Sequence, residues 1–213
     1  GITVFIGPGH NGGDGAVIAR ELFLKGFYVQ VWCPFPIKKT LTNNHLNYLT
    51  SIGVTKLVEP PDANGKELWI DAVFGNNQTR KVDNKLIKLF NQKFHNKYGK
   101  VISIDIPTGL CPDKGEPFLD NAVKADYTLA IGLYKIGLTQ DSALPFIGEL
   151  HHIDVGMPTS KLSKVDEKIF KVTYKDIKNI DLPFLPKNSN KYQRGRTLII
   201  AGSEKYPGAA YLA

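Results

Sequence analysis

Short, fully apolar runs alternate along the chain with longer stretches in which apolar residues recur every three or four positions. Ile2 to Gly7 is apolar and β-rich and closes on glycine, which reads as a buried strand. From Asp14 to Lys25, Ala16, Ala19, Leu22 and Phe23 fall at helical spacing, with Gly26 as the stop. Tyr28 to Cys33 predicts a second strand ended by Pro34, and Thr42 to Ile52 a second helix ended by Gly53. Leu68 to Phe74 is a strand stopped by Gly75, and Asn84 to Phe94 sets Leu86, Ile87, Phe90 and Phe94 on one helical face. Val101 to Ile106 is a strand broken by Pro107, and Tyr127 to Ile131 and Leu150 to Val155 predict two more.

Strands alternating with helices imply right-handed crossovers and a mostly parallel sheet covered on both faces. The predicted fold class is therefore α/β, a Rossmann-like three-layer α/β/α sandwich. After Gly156 the texture changes. Met157 to Lys191 is rich in Lys, Ser, Asp, Asn and Pro and reads as a connector, whereas Arg196 to Gly202 reads as a fresh buried strand opening a second α/β domain. The chain begins at Gly1, directly on a predicted strand, and stops soon after the last one. It reads as a fragment cut at both ends.

With 213 residues and 42% hydrophobic composition, the chain can bury one full core plus part of another, which argues against wholesale disorder. No apolar run approaches the ~20 residues of a membrane span, and no secretory signal opens the chain. Cys33 and Cys111 are too few for a disulfide framework and fit no zinc spacing, so the expected location is cytoplasmic. The net charge of +7 raises the question of nucleic acid. The basic residues are spread out, however, with Lys38-Lys39 and Arg80-Lys81 as mere pairs and no arginine-rich tract. A solvated basic face that attracts small anions is favoured over a nucleic-acid surface.

In a parallel sheet ligands bind beyond the carboxyl ends of the strands, and three such ends carry chemistry. The first is Gly7-Pro8-Gly9-His10-Asn11-Gly12-Gly13-Asp14-Gly15, where glycines allow close approach and a helix start favours an anion. Gly7, Gly9 and Gly12 also spell a dinucleotide fingerprint, but the second strand ends Val31-Trp32-Cys33-Pro34 without the acid that a dehydrogenase needs for the ribose. A tight turn alone would explain one or two of these glycines, not five. The second is Asp71-Ala72-Val73-Phe74-Gly75 followed by Asn76-Asn77-Gln78-Thr79-Arg80-Lys81. An Asp inside an apolar strand needs a partner or a cation, and the polar loop ending in two cations suits phosphate. The third is Ser103-Ile104-Asp105-Ile106-Pro107-Thr108-Gly109, which offers a carboxylate for general acid–base work at a strand end and a hydroxyl in the next turn. A satisfied Asp71 and an Asx-type turn at Asp105 are the purely structural alternatives.

Together and in order, these three segments resemble the NAD(P)H-hydrate epimerase family, the YjeF N-terminal domain, from Gly1 to about Pro158. The tail Gly195 to Ser203 with Pro207-Gly208-Ala209 resembles the opening of the ADP/ATP-dependent NAD(P)H-hydrate dehydratase, which has a ribokinase-like fold. The resemblance implies an epimerase domain over 1–158 lacking the family's N-terminal helices, a linker over 159–190 and a truncated dehydratase start over 191–213. The parent would be a bifunctional repair enzyme. It also implies that His10, Asn11, Gly12, Gly13 and Asp14, the loop Gly75, Asn76, Asn77, Gln78, Thr79, Arg80 and Lys81, and Asp105 bind the hydrated dinucleotide, with Asp105 as the catalytic group. Asn11, Asp71 and Thr108 would hold one potassium ion, an assignment that their hard oxygen donors favour. Mg²⁺ with ADP or ATP would belong only to the dehydratase half.

Three positions depart from the family pattern. His10 stands where Asn is usual, Thr108 where Ser is usual, and Asn76-Asn77 replaces a more Gly-rich loop. The expected activity is interconversion of the R and S hydrates of NAD(P)H, with that small molecule as the partner. No nucleic acid or membrane partner is expected, and homo-oligomerisation is left open. A non-catalytic interaction module of the same fold is the second reading. It is disfavoured because Asp14, Asp71 and Asp105 are all kept, and an NAD-dependent dehydrogenase is the third.

Overall fold

Seven parallel strands form one sheet in the order β3-β2-β1-β4-β5-β6-β7. The elements are β1 (Ile2–Ile6), α1 (His10–Leu24), β2 (Val29–Trp32), α2 (Thr40–Ser51), β3 (Thr55–Lys56), β4 (Leu68–Ala72), α3 (Asn84–Phe94), β5 (Val101–Ile104), β6 (Tyr127–Ile131), α4 (Leu144–Ile147) and β7 (Glu149–Ile153). This structure, a computed structural model, describes residues 1–79, 82–158, 160, 169–180, 185–196 and 198–212. It divides into two units, Gly1–Leu162 and Ser163–Ala213.

Alternation along the strands sorts the first unit into two apolar layers. Ile2, Val4 and Ile6 of β1 join Ile70 and Ala72 of β4, Ala16 and Ala19 of α1, and Leu46 and Leu49 of α2 on one face. Phe5 and Trp69 point to the other face and meet Leu86, Ile87 and Phe90 of α3. The predicted three-layer parallel architecture is therefore present. Asp83 starts α3 as expected for an N-cap, its carboxylate accepting from Lys85 N–H at 2.9 Å.

The differences from the pattern lie mainly at element ends. Helix α1 begins at His10, four residues before Asp14, so its first turn is built from the glycine-rich segment. Glycine is a poor helix former, but here packing overrides propensity. A side chain at Gly12 would overlap the carbonyl of Gly7, and one at Gly15 would overlap the side chain of Ala72. Strand β5 ends at Ile104, because Asp105 turns to φ +70°. The short strand β3, α4 and two 3-10 turns before it (Ile136–Thr139 and Asp141–Ala143) were too short to leave a period.

In the second unit, Thr173 and Asp176 form a reciprocal capping box on the helical segment Tyr174–Lys178. The run expected as a new buried strand is not one. Leu198 is 83% exposed and Ile200 89%, and no strand is formed among the described residues there; Thr197 lies outside them. A strand needs a neighbour to satisfy its backbone groups, and the described residues of this unit contain none. Among the described residues, no helix is long and apolar enough to cross a membrane.

Candidate functional site

The sheet order reverses direction between β1 and β4, and their carboxyl ends open the crevice that such a switch point creates. A cavity of about 530 Å³ lies there. Its walls come from the glycine loop (Pro8, Gly9), the start of α1 (His10, Asn11, Asp14), the segment after β4 (Val73 to Gln78), Asp105, and Lys38 and Lys39 before α2. A neighbouring hollow of about 350 Å³ shares Asn76, Asn77 and Gln78 and adds Thr79 and Cys111.

Asp105 is the most constrained group in the cavity wall. Among the described residues it is the one non-glycine with positive φ, at +70°. That conformation is uncommon outside glycine, is reached most readily by Asn and Asp, and clusters at functional sites. The turn aims the carboxylate at the loop after β4. Its Oδ2 accepts from Asn76 N–H at 2.9 Å, and its Oδ1 accepts from the Lys135 ammonium and, at 3.4 Å, from Ile131 N–H. Lys135 also donates to the Ile131 carbonyl at 2.9 Å. Both side chains of this ion pair are nearly buried. Gly75 packs closely beside it: a β-carbon there would sit 3.0 Å from Asp105 Oδ2 and 3.1 Å from Asn11 Cγ.

Asp71 is fully buried. The Thr108 hydroxyl donates to its Oδ1 at 2.7 Å and Val73 N–H at 3.2 Å. Thr108 N–H donates to Oδ2 at 2.9 Å and the Ser103 hydroxyl at 3.1 Å. Burial pushes this carboxyl above its ordinary value, against the pull of those four donors. The sequence suggested a cation as the reason for Asp71 in its strand; the four donors supply another, since each carboxylate oxygen accepts two hydrogen bonds. We expect Asp71→Asn to destabilise the fold by about 2–3 kcal/mol at neutral pH, because an amide N–H₂ then faces two buried donors. A raised folded pKa means the native state binds the proton more tightly than the unfolded chain. Stability from this group therefore falls as pH rises through that value, and the gap between wild type and variant widens as pH is lowered from 7 toward the ordinary carboxylate value. Urea melts at several pH values check both parts.

The remaining predicted site residues divide by position. His10, Asn11, Asp14, Gly75, Asn76, Asn77, Gln78 and Asp105 line the main cavity, and Thr79 lines the neighbouring hollow. Gln78 is buried and bridges two turns, donating to the Pro107 carbonyl at 3.1 Å and accepting from Gly109 N–H at 2.8 Å. Gly12 and Gly13 are buried behind the loop, Gly13 with its α-carbon turned to the Thr42 hydroxyl. Arg80 and Lys81 lie outside the described residues. Burial raises the Asp14 carboxyl and the charge of Asp105 adds to this, while His10 and His45 act in the opposite direction. Asn11, Asp71 and Thr108 offer an amide oxygen, a carboxylate and a hydroxyl, donors that fit an alkali cation in kind. Thr108 Oγ1 is already engaged, donating to Asp71 and accepting from Phe74 N–H at 3.1 Å.

The sequence reading missed Lys135 and the cavity-facing position of Lys38 and Lys39. Lys135 follows β6, a fourth strand end on the same edge of the sheet, and that position was the available signal. His151 and His152 lie on β7 away from this site, His151 paired with Glu149 at 3.0 Å and His152 with the Gly132 carbonyl.

A family model described as YjeF-related protein N-terminus matches residues 1–137. The bifunctional NAD(P)H-hydrate repair enzyme Nnr of Gloeobacter violaceus is 38% identical, over 99% of this chain and 42% of that protein. Its counterpart from Synechocystis is also 38% identical, over 99% of this chain and 40% of that one. The NAD(P)H-hydrate epimerase of Lentilactobacillus buchneri is 30% identical over 73% of each chain. The crystal structure of yeast ynu0, YNL200c, superposes with a TM-score of 0.63 at 23% identity, covering 82% of this chain and 74% of that one. The chain thus spans about two fifths of the length of the bifunctional relatives it matches.

Proposed function

Since this chain belongs to the YjeF-related N-terminal family, we propose that its first unit epimerises the R and S forms of NAD(P)H-hydrate. The observation that carries this reading is the strained turn that holds the Asp105 carboxylate at the cavity between Asn76 N–H and the Lys135 ammonium. The hydrate carries a hydroxyl on C6, next to the ring nitrogen. A proton delivered to that hydroxyl lets it leave as water while the nitrogen lone pair forms a C=N bond, making C6 planar. Water returning to the other face, with its proton taken back, gives the opposite epimer with no change of redox state. Asp105 is the proton-transfer group, and Lys135 holds it in place and keeps a proton within reach.

The start of α1 suits the pyrophosphate. Its N-cap is Gly9, with no side-chain cap and no acid in the first turn, so no capping side chain competes with an anion for its N–H groups. We further propose that the parent protein is bifunctional, as the names of its relatives suggest. Its other half would dehydrate the S form with ADP or ATP and Mg²⁺.

Chiral chromatography of R-NADH-hydrate and R-NADPH-hydrate incubated with the protein in potassium buffer tests the reading. Conversion to the S form well above the spontaneous rate is expected, and a folded protein that gives none overturns it. Potassium is proposed to be held by Asn11, Asp71 and Thr108, where it would offset negative charge beside the bound pyrophosphate. Potassium at tenfold its Kd should stabilise the protein by about 1.4 kcal/mol, a rise in Tm of about 3–6 °C for a chain of this size. Equal melting points in potassium chloride and in tetramethylammonium chloride at matched ionic strength would remove the ion from the proposal.

A further inference from the structure

The cavity runs across the sheet in strand order, and this orders the substrate within it. Asp105, at the end of β5, marks where the reacting ring must lie, an assignment that rests on the epimerase reading. The start of α1, after β1, receives the pyrophosphate. The adenosine half is then directed past β1 toward β2. From β5 to β2 is three strand spacings, about 14 Å, so the ring and the adenosine ribose fall at opposite ends of the cavity.

The β2 end is where a Rossmann-type site reads the ribose, an acid there holding a 2′-hydroxyl and a cation a 2′-phosphate. Here β2 runs into Cys33-Pro34-Phe35-Pro36-Ile37 with no acid, and the next residues, Lys38 and Lys39, line the cavity. The segment is fastened to the glycine loop by its backbone: Lys38 N–H donates to the Pro8 carbonyl at 3.0 Å. One turn into α2, the Thr42 hydroxyl donates to the Gly9 carbonyl at 2.9 Å. The two exposed ammonium groups are therefore tethered at the cavity mouth, and among the described residues neither is paired with a carboxylate. The other lysine of the site, Lys135, is already neutralised by Asp105.

We propose that Lys38 and Lys39 are specificity-determining residues that bind the phosphate on the adenosine ribose, so that this chain prefers NADPH-hydrate to NADH-hydrate. The pyrophosphate is the competing anion, but it is common to both substrates and cannot produce a preference.

The test is kcat/KM for epimerisation of each hydrate, in wild type and in Lys38→Ala/Lys39→Ala. The ratio of NADPH-hydrate to NADH-hydrate should be about 10–100 in wild type, the range of one or two charge-assisted contacts. It should fall to near 1 in the double variant, with the loss in KM rather than kcat. Lys38→Arg/Lys39→Arg should keep most of the ratio, and added salt should shrink it, because the pair is exposed. A wild-type ratio near 1, or an equal loss on both hydrates, overturns the proposal; the equal loss would move the lysines to the pyrophosphate. Calorimetric binding of adenosine 2′,5′-bisphosphate against adenosine 5′-monophosphate separates this inference from the reading beneath it. Lysine-dependent preference for the bisphosphate in a protein that turns over neither hydrate would sink the epimerase and keep the phosphate site. No such preference in an active epimerase would do the reverse.

Discussion

Asp105→Asn should lower the rate of hydrate epimerisation by about 10²–10⁴-fold, the usual worth of a general acid–base group, while leaving the protein folded. The separation of the two effects follows from the backbone. At φ +70° most replacements would be strained, but Asn enters the left-handed region as readily as Asp. The amide oxygen can still accept one of the two strong donors, Asn76 N–H or Lys135. What the variant lacks is an oxygen that can exchange a proton. A midpoint of thermal unfolding within a few degrees of wild type, together with the rate loss, would mark the effect as chemical. A rate within a few-fold of wild type would remove Asp105 from the proton path, and the strained turn would then serve only to hold Gly75 and Asn76.

The architecture was legible because every strand but β3 shows as an apolar run, and each of the longer helices as a helical spacing, in its own residues. Leu86, Ile87, Phe90 and Phe94 mark α3 to the residue, and β6 is bounded as its apolar run predicts. The site was half legible, for a physical reason. Residues that do chemistry at a strand end are announced by polarity out of place, as Asp71 and Asp105 are. Residues that reach a site from a loop are polar where polar residues are expected. Lys135 and Lys38-Lys39 look like ordinary solvated lysines until the topology sets their loops beside the same crevice. The helix start was misplaced for a different reason. The glycines from Gly12 to Gly15 are costly to helix propensity, but the missing side chains of Gly12 and Gly15 let α1 lie against Gly7 and β4.

That distinction predicts opposite fates for two glycines in one loop. Gly7 donates its N–H to the Ala72 carbonyl at 3.1 Å, continuing the β1–β4 ladder just past the strand ends. A β-carbon at Gly7 would overlap the carbonyl oxygen and α-carbon of Val73, which are backbone atoms of a buried strand end and cannot rotate away. Gly7→Ala must therefore part β1 from the segment after β4, and that segment carries Gly75 and Asn76 into the cavity. The expected cost is about 4 kcal/mol or more, in the tail reserved for changes with no local escape. Gly9 has nothing within 4 Å of its would-be β-carbon, its backbone at φ −105° is open to any residue, and it faces the cavity. Gly9→Ala should therefore change stability by less than about 0.5 kcal/mol, as expected away from packed features. Its effect should appear instead as weaker binding of the dinucleotide, whose pyrophosphate would meet the new methyl at the start of α1. Urea melts and a binding isotherm on the two variants decide it. If Gly7→Ala melts like wild type, the strand ends are looser than their packing implies. If Gly9→Ala binds like wild type, the pyrophosphate does not approach this turn, and the order of the substrate along the cavity must be drawn again.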